Sequence, residues 1–178
     1  MKKLMVMMLG LSMIFTLSAC GQKSADTERA TTAARESQTD SNVSELLVTF
    51  GERGTPYTLH LEDNETAQQV ADYVGRQSWN LPIYHFDDYE NYEVMQYYDV
   101  ASSYEFTSNP ETITTEKGGE VYYSDPNRIV LFYQDAEITG EYTKIGYIDY
   151  SEEFYEAVAN NPVLAGWGNK IVSISAKR

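Results

Sequence analysis

The sequence predicts a mainly β domain, a closed antiparallel β-barrel with two short helices, preceded by a signal peptide and a disordered tether. Three observations predict it: many short apolar segments of strand-like pattern, only two stretches of helical spacing, and turn signals scattered between them.

Lys2 and Lys3 open the chain, an apolar stretch runs from Leu4 to Leu17, and small residues precede Cys20, which are the three parts of a secretory signal over residues 1–19. The apolar run is shorter than the roughly 18 residues a permanent membrane helix needs. Leu17-Ser18-Ala19-Cys20 resembles the bacterial lipobox. That resemblance implies that the Cys20 thiol carries diacylglycerol and becomes the first mature residue, which places the protein on the outer face of the cytoplasmic membrane, with membrane lipid as a partner. An ordinary signal peptide with an accidental Cys is the lesser reading. Cys20 is the only cysteine, so the mature domain has no disulfide and no cysteine metal site. Cleavage would leave 11 Lys+Arg against 27 Asp+Glu, moving the formal charge from −14 to −16. Such acidity excludes a phosphate-binding face, so nucleic acid is not an expected partner. It suits solubility and repulsion from an anionic envelope.

Residues 20–44 hold almost nothing large and apolar beyond Cys20, which makes them a flexible tether. About 24 flexible residues reach roughly 25–30 Å, enough to clear the lipid headgroups. Residues 45–178 have the size of one domain, expected to be a monomer. Leu46 to Phe50 reads as a strand, Gly51 to Pro56 as a turn, and Tyr57, Leu59 and Leu61 as the buried side of a second strand. Ala67, Val70, Ala71 and Val74 recur at helical spacing, with Asn64 or Thr66 as the cap and Gly75 as the stop. Trp79 to Phe86 reads as a strand in which Pro82 indicates an edge or a bulge. Tyr89 to Phe106 holds at least one strand, and Asn109-Pro110 signals a turn. Glu120 to Tyr123, the turn Ser124 to Asn127, and the run Ile129 to Tyr133 form a hairpin through the core. Because that run is continuous rather than alternating, both of its faces are covered. Tyr142 to Tyr150 is a further strand, Ser151 caps a second helix ahead of Pro162, and Ile171 to Ala176 closes the domain.

Three stretches carry a resemblance: Thr114 to Tyr123 followed by Arg128 to Asp135, Lys144-Ile145-Gly146-Tyr147-Ile148-Asp149, and Asn64-Glu65-Thr66-Ala67. In these words and their order the domain resembles the cyclophilin-like fold, and more closely a bacterial branch of small cyclophilin-like domains that are often lipoproteins. Cyclophilins isomerise prolyl bonds in an apolar groove, with an arginine that donates to the proline amide and a nearby glutamine. Val94 to Asp99 echoes the segment holding that glutamine, which would put Gln96 in its place. No arginine lies between Arg76 and Arg128, and the expected stretch, His85-Phe86-Asp87-Asp88, is acidic. Carboxylates carry the wrong charge to polarise the amide nitrogen. The resemblance therefore implies a binding module for a peptide or another small ligand, such as a segment of an exported protein, without efficient catalysis. The alternative is an extracytoplasmic peptidyl-prolyl isomerase. By the same resemblance the groove residues are Gln96, Tyr98, Tyr123, Ile138 and Tyr142, each of which also suits plain packing.

Other constellations are weaker. His60 and His85 are the only histidines and suit strand positions with exposed rings better than a zinc site. Asp87, Asp88, Glu90 and Glu93 lack the glycine and spacing of a calcium loop and read as a solvated acidic loop. No phosphate loop, nucleophile elbow or zinc-protease motif occurs, so no metal and no cofactor is expected. All 15 tyrosines follow the tether, a composition that suits strand pairing and the binding of peptides or sugars.

Overall fold

The computed structural model describes residues 43–83, 90–166 and 168–177. The signal peptide, Cys20 and nearly all of the tether lie outside the described residues, as do His85, Asp87 and Asp88.

Strands β1 (Glu45–Phe50) and β2 (Pro56–Leu61) form the first hairpin. Helix α1 (Glu65–Arg76) follows, and Asn64 is its cap: its side-chain oxygen accepts from the Ala67 N–H at 2.9 Å, satisfying one of the open first-turn donors. Thr66, the other cap considered, lies inside the helix and donates its hydroxyl to the Thr107 carbonyl. Gly75 sits within the last turn, so the helix runs on to Arg76 and is capped by Gln77. Then come β3 (Trp79–Ile83), β4 (Met95–Asp99), β5 (Glu111–Ile113), β6 (Glu120–Ser124), β7 (Arg128–Phe132) and β8 (Gly140–Ile148). Helix α2 (Glu152–Ala159), capped by the Ser151 hydroxyl at 3.1 Å from the Phe154 N–H, leads to β9 (Lys170–Ala176).

The strands are hydrogen-bonded in the order β3-β9-β1-β2-β8-β6-β7-β4, with β5 added onto β8. Every ladder is antiparallel, as expected, but the barrel is not closed. The path ends at β3 on one side and β4 on the other, and among the described residues no ladder joins them. Pro82 supplies a physical reason: β3 pairs with β9 through Pro82↔Ile171, and a residue without an N–H suits a strand with only one ladder partner. The closed barrel expected from the strand pattern is therefore replaced by an open, strongly curved sheet whose two end strands approach without bonding.

Its concave side holds the main core. Leu46, Val48 and Phe50 of β1 meet Val70, Ala71 and Val74 of α1, Phe154 and Val158 of α2, and Ile129 and Leu131 of β7. The opposite side of β7 is buried too. Val130 and Phe132 join Tyr122 in a second, smaller cluster on the convex face, flanked by Met95, Tyr97, Ile113, Ala136, Ile138 and Tyr142. This is why the run Ile129 to Tyr133 shows no alternation: odd positions face one core and even positions the other.

Candidate ligand-binding face

Strand alternation decides which side chains reach the convex face. On β4, Met95 and Tyr97 join the second cluster, while Gln96 and Tyr98 are buried inward, 3 % and 2 % exposed. Gln96 donates to the Val158 carbonyl at 3.4 Å and accepts from the Tyr98 hydroxyl at 3.2 Å. It thus adds a second donor to a carbonyl that already accepts from the Asn161 N–H at the C-terminal end of α2, and holds that helix to β4. Tyr123 also points inward, and its hydroxyl donates to the Pro126 carbonyl at 2.6 Å. Of the five residues expected to form a groove, the structure therefore brings together only Ile138 and Tyr142, on the convex face. Gln96, Tyr98 and Tyr123 lie in the interior.

Two clefts open on the convex face and share the Tyr142 ring as a wall. One, of about 280 Å³, lies over β4 and β7, with Met95, Tyr97 and Val130 as its apolar lining and Arg128, Glu90, Asn91 and Ser124 around them. The Arg128 guanidinium sits 4.0 Å above the Tyr97 ring, and its Nε donates to Asp99 at 3.0 Å. The other, of about 420 Å³, lies between the start of α1 and strands β5 and β8, where Glu62, Glu65 and Glu111 face Ile113 and Tyr142. Gly140 is what lets Tyr142 stand between the two clefts. A Cβ there would fall 2.3 Å from the ring, because both residues point to the same side of β8.

Beneath this face runs a hydrogen-bonded chain. The Tyr122 hydroxyl donates to Glu120 Oε2 at 2.9 Å, and Lys144 Nζ meets Glu120 Oε1 at 2.7 Å. Burial pushes the Glu120 carboxyl up, but Lys144, the Lys117 N–H and Tyr122 outweigh it and hold the group below its ordinary value. Burial first, and then Glu120, raise the Tyr122 phenol, so it stays a neutral donor.

Glu116 differs from the rest. It is 1 % exposed, Oε2 accepts from the Ile138 N–H at 3.3 Å, and Oε1 has no hydrogen-bond partner among the described residues. Its backbone is bonded in both directions to Ala136, so it pins the segment between β7 and β8 over the second cluster. Burial is the main cause that raises its carboxyl above the usual 4.5. A carboxyl raised in the folded state binds its proton more tightly folded than unfolded, so its contribution to stability falls as pH rises from 4.5 through the folded value. Glu116→Gln is expected to stabilise the domain more at pH 8 than at pH 4, as read from urea midpoints at both; an equal difference at the two would contradict the buried charge.

Met95, Tyr97, Arg128 and Glu116 were not among the residues singled out from the sequence. Period 2 alone puts Met95 and Tyr97 opposite Gln96, but Arg128 reaches the cleft only because it is the cross-strand partner of Asp99, a fact of register. His60 carries a partly exposed ring on β2, with Nδ1 3.4 Å from Glu45 and Nε2 3.5 Å from Asp149. Glu90 and Glu93 are exposed.

A curved antiparallel sheet enclosing a core built with two helices, with an apolar convex face, defines a domain of the cyclophilin type. Residues 48–167 match the model of the Cyclophilin-like family, and the chain belongs to that family. Among solved structures it is similar to McbB in complex with tryptophan, with 15 % identity and a TM-score of 0.52 over 74 % of this chain. The chain spans only 44 % of McbB, and the likeness is one of fold. No curated protein matches the chain significantly.

Proposed function

We propose that the protein is a lipid-anchored module on the outer face of the cytoplasmic membrane that binds a peptide or another small ligand on its convex face. The observation that carries the binding role is the cleft of about 280 Å³ floored by Met95, Tyr97 and Val130, an apolar floor rimmed by the Arg128 guanidinium, Glu90, Asn91 and Ser124. Aromatic floors of this kind supply contact area at low entropic cost. Titration of the full chain in detergent with proline-containing peptides is expected to give saturable binding, weakened at least about tenfold by Tyr97→Ala, the loss of roughly one buried aromatic contact. Binding that ignores Tyr97 would place the ligand elsewhere.

Arg128 favours a second reading, prolyl isomerisation, because the convex cleft does hold an arginine that the chain order alone does not align with the cyclophilin one. Asp99 occupies its Nε, and the pair is about half exposed, so it is worth no more than about 1 kcal/mol and is readily exchanged for a ligand. A protease-coupled prolyl assay decides between the readings. Turnover well above background that is lost in Arg128→Ala would establish catalysis; Gln96→Ala is a control for fold, because Gln96 is buried away from both clefts.

The anchor rests on Cys20 and the apolar run before it. Cys20→Ala is expected to abolish lipid labelling and release the protein from membranes, leaving the domain's thermal melt unchanged; lipid label retained in the variant would refute the anchor.

A further inference from the structure

The two clefts that meet at Tyr142 differ in charge. The one over β4 and β7 has an apolar floor with Arg128 and one carboxylate, Glu90, at its rim, whereas the one beside α1 gathers Glu62, Glu65 and Glu111 around an apolar wall of Ile113 and Tyr142. Among the described residues the only cation lining the second cleft, Lys144, is already held by Glu120 at 2.7 Å. Glu65 is engaged by Thr107 at 3.1 Å and Gln69 at 3.4 Å. The side chains of Glu62 and Glu111 have no hydrogen-bond or ion-pair partner among the described residues.

Resting on the peptide-binding reading above, we propose that the paired clefts select an extended peptide segment carrying an apolar side chain and, a few residues along it, a lysine or arginine. The apolar side chain enters beside Met95, Tyr97 and Val130. The basic side chain lays its methylene stem along Tyr142 and Ile113 and brings its charged end to Glu62 and Glu111, as long cationic side chains do where an apolar wall leads to an acidic mouth. Tyr142, shared by both clefts, sets the spacing between the two. A formal charge of −14 on the whole chain speeds the encounter with such a segment without choosing the site.

The test uses full-length protein in detergent and N-acetylated, C-amidated peptides in which a leucine and a lysine are separated by one to three glycines. The comparison peptides carry glutamine in place of lysine, or glycine in place of leucine. The Leu/Lys peptide of best spacing is expected to bind about two- to thirtyfold more tightly than its Leu/Gln counterpart, the range expected for two partly exposed ion pairs. That advantage should shrink as salt rises from about 0.05 to about 0.5 M. Glu62→Gln with Glu111→Gln should remove the advantage and leave the Leu/Gln affinity unchanged. Glu52→Gln with Glu156→Gln, which alters net charge equally but lies outside both clefts, should leave the advantage intact.

If Leu/Lys and Leu/Gln peptides bind equally well, the basic selectivity is wrong while the apolar groove stands. Absence of binding by every peptide overturns both. A loss of advantage that is equal in the two double variants would assign the effect to overall charge and overturn the site.

Discussion

Phe132→Ala is expected to cost about 3–5 kcal/mol, through lost burial and the cavity left behind. Phe132 is fully buried, yet it belongs to the small cluster on the convex face rather than to the main core. Its ring stands nearly perpendicular to Tyr122, with centroids 5.8 Å apart, and 6.2 Å from Tyr142. Tyr122 and Val130 share its burial there, so removing the ring opens a cavity against two packed side chains. Against a total stability of about 5–15 kcal/mol, the variant should be marginal. With a urea slope of about 1–3 kcal/mol per molar, its midpoint should fall by more than about 1 M. Glu90→Gln, at an exposed position, should move stability by no more than about 0.5 kcal/mol. A parental midpoint for Phe132→Ala would mean that the convex cluster is not packed, and the proposed ligand-binding face would lose its floor.

Gly119→Ala is expected to be comparably damaging for a different reason. Gly119 has φ +98, and a Cβ there would lie 2.1 Å from the Ile148 carbonyl oxygen. Its N–H donates to the Phe132 carbonyl at 2.7 Å and its carbonyl accepts from the Ile148 N–H at 2.8 Å, so it ties the ends of β7 and β8 together. The backbone conformation alone costs a non-glycine residue about 1–3 kcal/mol. The clash is with backbone, which cannot rotate away, and adds to that cost. Gly118→Ala is the matched control. Its new Cβ would meet the Tyr150 ring at 2.6 Å, but Tyr150 is 53 % exposed and free to swing outward. Thermal melts should separate the neighbours, with Gly119→Ala strongly destabilised and Gly118→Ala close to the parent; similar melts for both would show that the β6–β8 contact at Ile148 is not close.

What the sequence made legible is what local periodicity encodes. Ala67, Val70, Ala71 and Val74 are the buried stripe of α1, Asn64 is its cap, and Glu120 to Tyr133 is a hairpin. Pro82 marks a strand at the end of the sheet. Strand β5 was missed because three mostly exposed residues leave no pattern to read. Closure could not be read either, since whether β3 and β4 bond is a property of two segments with no local signal for each other. The candidate face is no more local: the resemblance points to Gln96, which strand alternation turns inward, and the pairing of Asp99 with Arg128 that brings a guanidinium to the cleft exists only once the register of β4 on β7 is fixed. The expected anchor rests on Lys2 to Cys20 alone, which lie outside the described residues.

The open end of the sheet also carries an optical probe. Trp79, on β3, is 4 % exposed, packs 5.3 Å from the Tyr104 ring, and has no hydrogen-bond partner for its indole N–H among the described residues. An indole in so apolar a place emits at short wavelength and receives excitation energy from the adjacent tyrosine. The sequence has two tryptophans, so Trp167→Phe leaves Trp79 as the sole indole emitter. Peeling of β3 from β9 would then redden the emission and end the transfer from Tyr104 while the circular dichroism of the remaining strands persists, making the unbonded edge separately visible from global unfolding.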